Sequence, residues 1–356
     1  MIFILNTNIC SDIIGLSQRL TGDNLMENKI NTLFDYIKTL SESDLDRIIK
    51  FVLGIVSVNR QSEDLPHCPY CGGTHVIKYG HKNKKQRFMC HDCKQTYMHT
   101  TNTLMANSHY TQSIWIDFIQ DTLYGKTLDG SAEKYGFSHQ TAFNMRHKVL
   151  MALQDLLEKN PVLLSGIAEF DETFVLDCYK GGPVPESAGR KARKHGAKAA
   201  KRGISKEYIS ICTGIQRDGG VVAASVNRAK PSGKELDEIF RGHIAESTLV
   251  LTDGLRSYRV LETLAGCTVV DINHEESRGI FNLNTVNSLH SFIKETYNQY
   301  RGVATKYINR YNALFSIAFR CANDLKDTLF LSLGTVGREC YWHSIKDVRN
   351  RQLLLI

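Results

Sequence analysis

Two pairs of cysteines have the spacing of a metal site. Cys68 and Cys71 enclose Pro-Tyr, Cys90 and Cys93 enclose His-Asp, and 18 residues separate the two pairs. Two C-x-x-C pairs at this separation are typical of a structural site in which four thiolates bind one Zn²⁺. A redox-active or disulfide-bonded pair is the alternative, but nothing in the sequence indicates secretion. We therefore expect these four cysteines to hold zinc.

The segment between the cysteine pairs is predicted to form a β-hairpin, and the whole a zinc ribbon. Its strands are expected at 75–79 and 86–89, joined by a polar tip at 81–85. Cations alternate with aromatic rings here, a pattern that suits phosphate neutralisation and base stacking but also an ordinary solvated hairpin. The sequence leaves both interpretations open. The residues concerned are Lys78, Lys82, Lys84, Lys85, Arg87 and Lys94, with Tyr79, Phe88 and Tyr97.

Two acidic residues stand out because they belong to predicted core strands. Asp171 lies in a strand predicted over 167–175, where β-branched and aromatic residues alternate with acids. Asp253 ends the apolar run 249–251, which we expect to be buried on both faces like a central strand. An acid there costs desolvation energy unless it binds a metal or a cation. Each acid alone could also be a cap or turn residue, and Asp253 before Gly254 suits a turn.

A long helix, predicted to begin near residue 284, carries the remaining candidates. Asp171, Asp253 and an oxygen ligand from this helix would together make a site for hard cations, two Mg²⁺ or Mn²⁺ ions. Lys294 lies about 10 Å beyond Asn287 along the helix axis, at a rise of roughly 1.5 Å per residue. This distance favours contact of Lys294 with phosphate over contact with the metal. The polar stripe of the helix is Asn287, His290, Ser291 and Lys294, and its apolar stripe is Val286, Leu289, Ile293 and Tyr297.

The composition is that of an ordered protein, and its positive net charge suits a polyanionic partner without proving one. The chain has 356 residues, a hydrophobic content of 42% and a net charge of +7, with room for two or three domains. The opening Met-Ile-Phe-Ile-Leu run is too short to cross a membrane and lacks the basic flank of a signal peptide. We therefore expect a cytoplasmic protein without a membrane partner. Six further cysteines are scattered, which favours free thiols in a reducing compartment: Cys10, Cys178, Cys212, Cys267, Cys321 and Cys340.

The predicted elements divide the chain into five regions. One of them contains a basic insertion with eight cations in seventeen residues, predicted to be a mobile arm that contacts phosphate, although a merely solvated loop is the alternative. Its cations are Arg190, Lys191, Arg193, Lys194, Lys198, Lys201, Arg202 and Lys206. The regions are an N-terminal helical region at 1–60, a zinc ribbon at 64–104, a helix-turn-helix region at 108–160, a mixed α/β catalytic domain at 165–325 with the basic insertion at 181–206, and a C-terminal tail at 326–356.

Residues 127–150 have the pattern of a helix-turn-helix. A short helix is predicted to end at Gly136, which permits a sharp turn, and Ser138 to cap a second helix. In this motif the second helix lies in the major groove of DNA. A plain helical hairpin in a linker is the alternative. The polar residues of the second helix are His139, Gln140, Thr141, Asn144, Arg146 and His147.

These pieces, in this order, resemble the IS1595 family of insertion-sequence transposases, whose catalytic domain is of the ISXO2 type. The resemblance runs from about residue 65 to 322, and it implies a ribonuclease-H-like α/β domain with a mixed sheet flanked by helices. Each piece is weak alone, but their order and combination are specific. The pieces are the C-x-x-C ribbon, AEKYGFSHQTA at 132–142, EFDETF at 169–174, LTDGLRSY at 251–258, INH at 272–274, NTVNSLHSFIK at 284–294, KYINRY at 306–311 and AFR at 318–320.

The family resemblance implies a catalytic set of Asp171, Asp253, Asn287 and Lys294. Many related transposases carry glutamate where Asn287 stands, and members with asparagine are known within the family. Asn287 can offer a carbonyl oxygen to a cation, but it brings no charge and cannot act as a base.

The sequence therefore predicts a DNA transposase. It would bind double-stranded DNA, both the terminal inverted repeats of its element and the target, as a homo-oligomer on DNA. Strand cleavage and strand transfer would depend on Mg²⁺ or Mn²⁺. The protein would be nucleoid-associated in a bacterial cytoplasm. Two alternatives stay open: a ribonuclease-H-like nuclease, which cuts without joining, and a catalytically inactive or domesticated regulator that binds DNA through the ribbon and the helix-turn-helix.

Overall fold

The computed structural model describes most of the chain from residue 67 onwards. The expected N-terminal helices at 1–60 lie outside the described residues. Within the described part, no helix combines the length and the apolar character needed to cross a membrane. The described residues are 67–354 without 84, 189, 194–197, 201, 273–278, 320–332, 334–339 and 352.

A small antiparallel sheet follows the first cysteine pair. Its strands are β1 (Val76–Lys82), β2 (Lys85–Cys90) and β3 (Thr96–Met98), in the order β1-β2-β3. Phe88 and Tyr97 are each only 2% exposed and form a small core with the cysteines. These two rings therefore brace the hairpin and are not free to stack on bases.

Three helices come next, with the turn chemistry that the sequence predicts. They are α1 (Gln112–Leu123), α2 (Leu128–Tyr135) and α3 (His139–Lys159). Gly136 ends α2 in the left-handed conformation, with φ of 66°, which suits a residue without a Cβ. The Ser138 hydroxyl then accepts the Thr141 N–H at 3.1 Å and caps α3.

The second sheet has five strands and a mixed pattern. Its order is β6-β5-β4-β7-β8, where β4 pairs antiparallel with β5 and parallel with β7. β6 is antiparallel to β5, and β8 is parallel to β7. The strands are β4 (Ile167–Leu176), β5 (Tyr208–Gln216), β6 (Val221–Ala224), β7 (Leu249–Thr252) and β8 (Thr268–Asp271).

Helices cover both faces of this sheet. On one face, α4 (Gly233–Phe240) and α5 (Val260–Ala265) pack over Phe170 and its neighbours. On the other face lie α6 (Asn284–Gln299) and α7 (Ile308–Ala318). The predicted apolar stripe of α6 is buried there, each residue at most 9% exposed: Val286, Leu289, Ile293 and Tyr297. The C-terminal half of α3 belongs to the same core, so the second helix of the predicted DNA-binding motif continues into the α/β domain.

The C-terminal region contains a docked helix, α8 (Ile345–Asn350). The fully buried Arg310 of α7 donates hydrogen bonds to the carbonyl oxygens of Val348 at 2.7 Å and Arg351 at 2.6 Å, which satisfies acceptors that the helix end leaves unpaired. Arg351 in turn contacts the Asp155 carboxylate of α3 at 2.7 Å. These contacts make the described C-terminal residues part of the folded domain.

Candidate active site

The pairing of β4 with β7 brings the two predicted aspartates together. Phe170 on β4 is paired with Thr252 on β7, and the strands run in the same direction. Asp171 and Asp253 are the next residues after this pair, one on each strand. They therefore lie at the same edge of the sheet. In open α/β sheets, this edge beyond the carboxyl ends of parallel strands is where ligands bind.

Asp253 lies in the turn just beyond the end of its strand. β7 ends at Thr252, and Asp253 is exposed in the turn that follows, where its Oδ1 accepts the Leu255 N–H at 3.1 Å. Gly254 has φ of 86°, so the turn needs a residue that tolerates the left-handed region. The strand before it is buried as predicted, and Asp253 itself is the turn residue that the sequence offered as the alternative. The turn leaves its carboxylate close to that of Asp171.

A third carboxylate, Glu172, completes an acidic cluster that the sequence did not predict. One oxygen each from Asp171, Glu172 and Asp253 lies within 4.8 Å of the others. The Tyr258 hydroxyl donates to Glu172 Oε2 at 3.3 Å. Neighbouring residues of a strand point to opposite faces, so the predicted strand offered no reason to group Glu172 with Asp171. The signal that could have identified Glu172 was its position next to Asp171 in the sequence, together with the predicted turn position of Asp253.

Burial and mutual repulsion make this cluster costly without a cation. Burial raises the pKa of Asp171 to about 6, and Asp253 adds to the rise, although the Glu172 N–H and Lys294 oppose it. Burial also raises the pKa of Glu172 to about 7, with further contributions from Asp171 and Asp253. Both shifts show that negative charge is disfavoured here, and a bound divalent cation would reverse that effect.

The helix that carries Asn287 is anchored by a buried ion pair. Glu169 is fully buried on β4, and its Oε2 accepts the N–H groups of Thr285 at 2.8 Å and Val286 at 2.9 Å, in the first turn of α6. Its Oε1 accepts the Arg217 Nε at 2.7 Å. A carboxylate at a helix N-terminus satisfies free N–H groups and is favoured by the helix dipole. Glu169 and Arg217 thus fix the start of α6 against the strand of Asp171, a role that the sequence did not predict.

One face of α6 lies over Asp171. His290, one turn after Asn287, is 6% exposed, and its Nδ1 is 3.5 Å from Asp171 Oδ2. Burial lowers the pKa of His290 to about 4, and Lys294 adds to this effect. Asn287 and Lys294 are exposed on the turns before and after His290. The predicted polar stripe therefore borders the acidic cluster, with His290 as its buried member.

The four cysteines of the small sheet are brought together as predicted. Cys68 and Cys93 have their sulfurs 3.5 Å apart, and those of Cys71 and Cys90 are 3.6 Å apart. Thiolates bound to one zinc at about 2.3 Å in a tetrahedron have sulfurs separated by just under 4 Å. The donor set therefore fits one Zn²⁺.

Part of the predicted DNA-contacting face of α3 is not available. His139 and Gln140 are exposed at its start, but Arg146 is 1% and His147 is 2% exposed. The Arg146 guanidinium lies over the Tyr300 ring at 5.1 Å. Arg146 and His147, two of the polar residues of this helix, therefore do not belong to an exposed DNA-reading surface, because α3 turns this side towards the core of the α/β domain.

Two cations of the basic insertion are likewise structural. The 3% exposed Asp177 receives Arg190 Nη2 at 2.7 Å, Arg193 Nη1 at 2.7 Å and Arg228 Nη1 at 2.9 Å. Burial opposes the charged form of Asp177, but the bonds from Arg190 and Arg228 outweigh it and hold the pKa of this carboxyl below its ordinary value. The expected mobile arm is thus wrong for Arg190 and Arg193. Lys194 and Lys201 lie outside the described residues, and the exposed cations are Lys191, Lys198, Arg202 and Lys206.

The fold and the acidic cluster define a mixed α/β domain with a candidate site for divalent cations. Residues 163–321 match the family model of the ISXO2-like transposase domain. Over this range the chain is therefore similar to ISXO2-like transposase domains. All the candidate residues from Asp171 to Lys294 fall within the matched range.

Other known proteins are similar over longer stretches. A protein of Halobacterium salinarum, described as an uncharacterized protein in transposable element ISH50, is 26% identical over 259 residues, which cover 70% of this chain and 84% of the relative. A Mos1 transposase paired-end complex with the left transposon end gives a TM-score of 0.26 at 14% identity, over 63% of this chain and 76% of that one. A mariner Mos1 paired-end complex with Mg gives 0.26 at 13%, over 69% and 80%. TM-scores this low do not define the fold, so the likeness to transposases rests on the sequence match over residues 163–321.

Proposed function

We propose that this chain is the DNA transposase of a mobile element, which cuts DNA at the element ends and joins them to a target through divalent cations. The observation that carries the proposal is the meeting of Asp171, Glu172 and Asp253 in a transposase domain. The similarity to a protein of a transposable element supports the proposal that this chain also comes from a mobile element. The strand order of the five-stranded sheet supports a ribonuclease-H-like type for the domain.

The donor chemistry of the cluster fits Mg²⁺ or Mn²⁺. Carboxylate and amide oxygens suit hard cations, and we assign Asp171, Asp253 and Asn287 as ligands, with Glu172 as a further carboxylate. Glu172 supplies a negative charge that the neutral Asn287 lacks. Cations held there would supply charge neutralisation at the scissile phosphate and a lowered pKa for the attacking hydroxyl. The protein side chains hold the reacting groups in place, so few of them need to act as acids or bases.

The exposed Lys294 is proposed to bind DNA phosphate. It lies one turn beyond His290 on the helix face that borders Asp171, and its charge reaches far enough to affect the pKa of Asp171. An ammonium group there would hold the backbone next to the cations without competing for them. Lys294→Ala should therefore weaken engagement of the DNA end while cation binding persists.

We further propose that the small sheet is a zinc ribbon and that helices α1 to α3 form a helix-turn-helix. The sulfur distances support one Zn²⁺ on Cys68, Cys71, Cys90 and Cys93. The exposed start of α3 supports DNA reading by this end of the helix alone. Together they would bind the terminal inverted repeats, with two or more copies of the chain on the DNA, in the cytoplasm.

The test separates binding, cutting and joining. Asp171→Asn and Asp253→Asn should abolish cleavage of DNA that carries the element ends and also the joining of pre-cut ends, while binding to the same DNA is kept. The matched control is Asp218→Asn, which changes an exposed acid in the β5–β6 turn. Parental transposition by either aspartate variant would refute the proposal. Cutting without joining by the parent protein would indicate a nuclease, and binding without either reaction would indicate a regulator.

A further inference from the structure

His290 is a buried imidazole beside the acidic cluster for which the proposed function gives no role. Its Nε2 is 2.8 Å from Thr213 Oγ1, and its Nδ1 is 3.5 Å from Asp171 Oδ2. Its side chain is 7% exposed and that of Asp171 is 18% exposed. The ring thus lies between the β5 strand and the carboxylate of a proposed metal ligand.

The hydrogen bonds of Thr213 determine which ring nitrogen carries the proton. The Thr213 hydroxyl donates to the backbone oxygen of Asp171 at 2.8 Å, and a hydroxyl has a single proton to donate. Towards His290 the same oxygen can therefore only accept. It follows that His290 donates through Nε2–H, and that Nδ1 has a free lone pair.

This lone pair faces Asp171 Oδ2. When Asp171 is ionised, Oδ2 can only accept hydrogen bonds, so neither atom can donate to the other. The separation of 3.5 Å is longer than the range of about 2.7–3.2 Å for an ordinary N–H···O bond. Two atoms at about 2.1 Å from one cation lie about 3 Å apart at a right angle, and further apart at wider angles. A cation between Nδ1 and Oδ2 would use both lone pairs at nearly the observed spacing.

We propose that His290 Nδ1 is a ligand of the cation held by Asp171, and that Thr213 orients the ring for this role. This inference rests on the proposed cation site. Histidines that bind metals commonly donate their other ring N–H to a protein oxygen, as Nε2 does here. Imidazole suits Mn²⁺ and later transition metals better than Mg²⁺, so the site should favour Mn²⁺ over Mg²⁺.

The experiment uses the full chain with its ribbon loaded with zinc, and Mn²⁺ as the probe. Pulsed electron paramagnetic resonance should show the ¹⁴N modulation of a coordinated imidazole. His290→Gln should abolish that modulation and weaken Mn²⁺ binding by about tenfold or more, with a smaller loss for Mg²⁺. Thr213→Val, which keeps the side-chain shape but removes the hydroxyl, should weaken the modulation. His81→Gln, on the exposed hairpin, is the matched control and should leave both unchanged.

The outcomes distinguish this inference from the site on which it rests. A parent protein that binds Mn²⁺ in an Asp171-dependent way without nitrogen modulation overturns the role of His290 and leaves the proposed function intact. Modulation that persists in His290→Gln overturns it as well. A parent protein that binds no Mn²⁺ at the acidic cluster refutes the proposed cation site itself. If His290→Gln fails to fold, the ¹⁴N modulation in the parent protein and its weakening in Thr213→Val still test whether His290 binds the cation.

Discussion

The anchoring of α6 by Glu169 can be tested by changing a single atom. Glu169→Gln keeps the shape of the side chain but replaces one carboxylate oxygen with an amide nitrogen. The parent carboxylate accepts from Arg217 on one oxygen and from the N–H groups of Thr285 and Val286 on the other. The amide can face only one of these donor groups with its oxygen, so the other side loses its acceptor.

The size of the effect follows from burial. Breaking a buried ion pair by removing one charge costs about 3–5 kcal/mol. Glu169 is fully buried, but the Arg217 side chain is 21% exposed, so water can partly solvate the released guanidinium. We therefore expect the lower end, about 3 kcal/mol, much of it as local opening of α6. At about 1.4 kcal/mol for each factor of ten, this corresponds to roughly a 150-fold change in the opening equilibrium.

Hydrogen exchange measured by mass spectrometry tests this locally. Amides of 284–299 should exchange roughly two orders of magnitude faster in Glu169→Gln, while those of β4 change less. The control is Glu235→Gln at the start of α4, where the parent side chain accepts the Ser232 N–H at 2.7 Å in a capping box. Glutamine also serves in that position, so exchange over α4 should change by less than about fivefold. Unchanged exchange over α6 in Glu169→Gln would show that the ion pair does not anchor the helix.

Three further predictions concern pH, the C-terminal helix and zinc. The pKa values of Asp171 and Glu172 are raised from 3.8 and 4.5 to about 6 and 7, so their contribution to stability is present below the lower values and lost as pH rises through the higher ones. Mn²⁺ should therefore raise the melting temperature more at pH 8 than at pH 5.5, and an equal rise at both would contradict this assignment. Arg310→Met removes the donors to the end of α8 and should lower the free energy of unfolding by about 3 kcal/mol. Proteolysis at the C-terminus should also become faster. Arg349→Met, on the exposed side of α8, is the control and should change neither quantity. Strong chelators should remove one zinc per chain and abolish the β signal of the ribbon in circular dichroism; a chain that retains this signal without zinc would exclude coupled folding.

The local elements could be predicted from the sequence because their signals are local. The alternation over 167–175 predicted β4, and the period of 3.6 residues predicted α6 with its buried stripe of Val286, Leu289, Ile293 and Tyr297. The glycine and serine of the turn before α3 predicted where one helix ends and the next begins. The C-x-x-C spacing predicted that four sulfurs meet, because each pair lies within one tight turn.

The acidic site could be predicted only in part. Asp171 and Asp253 were identified as strand-associated acids, and the structure brings them together through the β4–β7 pairing. Glu172 was missed because it joins the acidic cluster only through the position of Asp253. That position depends on the conformation of the turn after β7. The roles of Asn287 and Lys294 stay predictions, although the structure places both beside the buried His290.

The sequence by itself determined the kinds of element, the spacing of the four cysteines and the similarity to ISXO2-like transposase domains, since all three are set by residue order along the chain. The tertiary structure decided which charged groups are free to act. Arg146 faces the core, Arg190 and Arg193 are held by Asp177, and Glu169 anchors a helix more than a hundred residues away. Burial and charge pairing arise from contacts between distant segments, and a pattern of residue types within one segment carries no information about them.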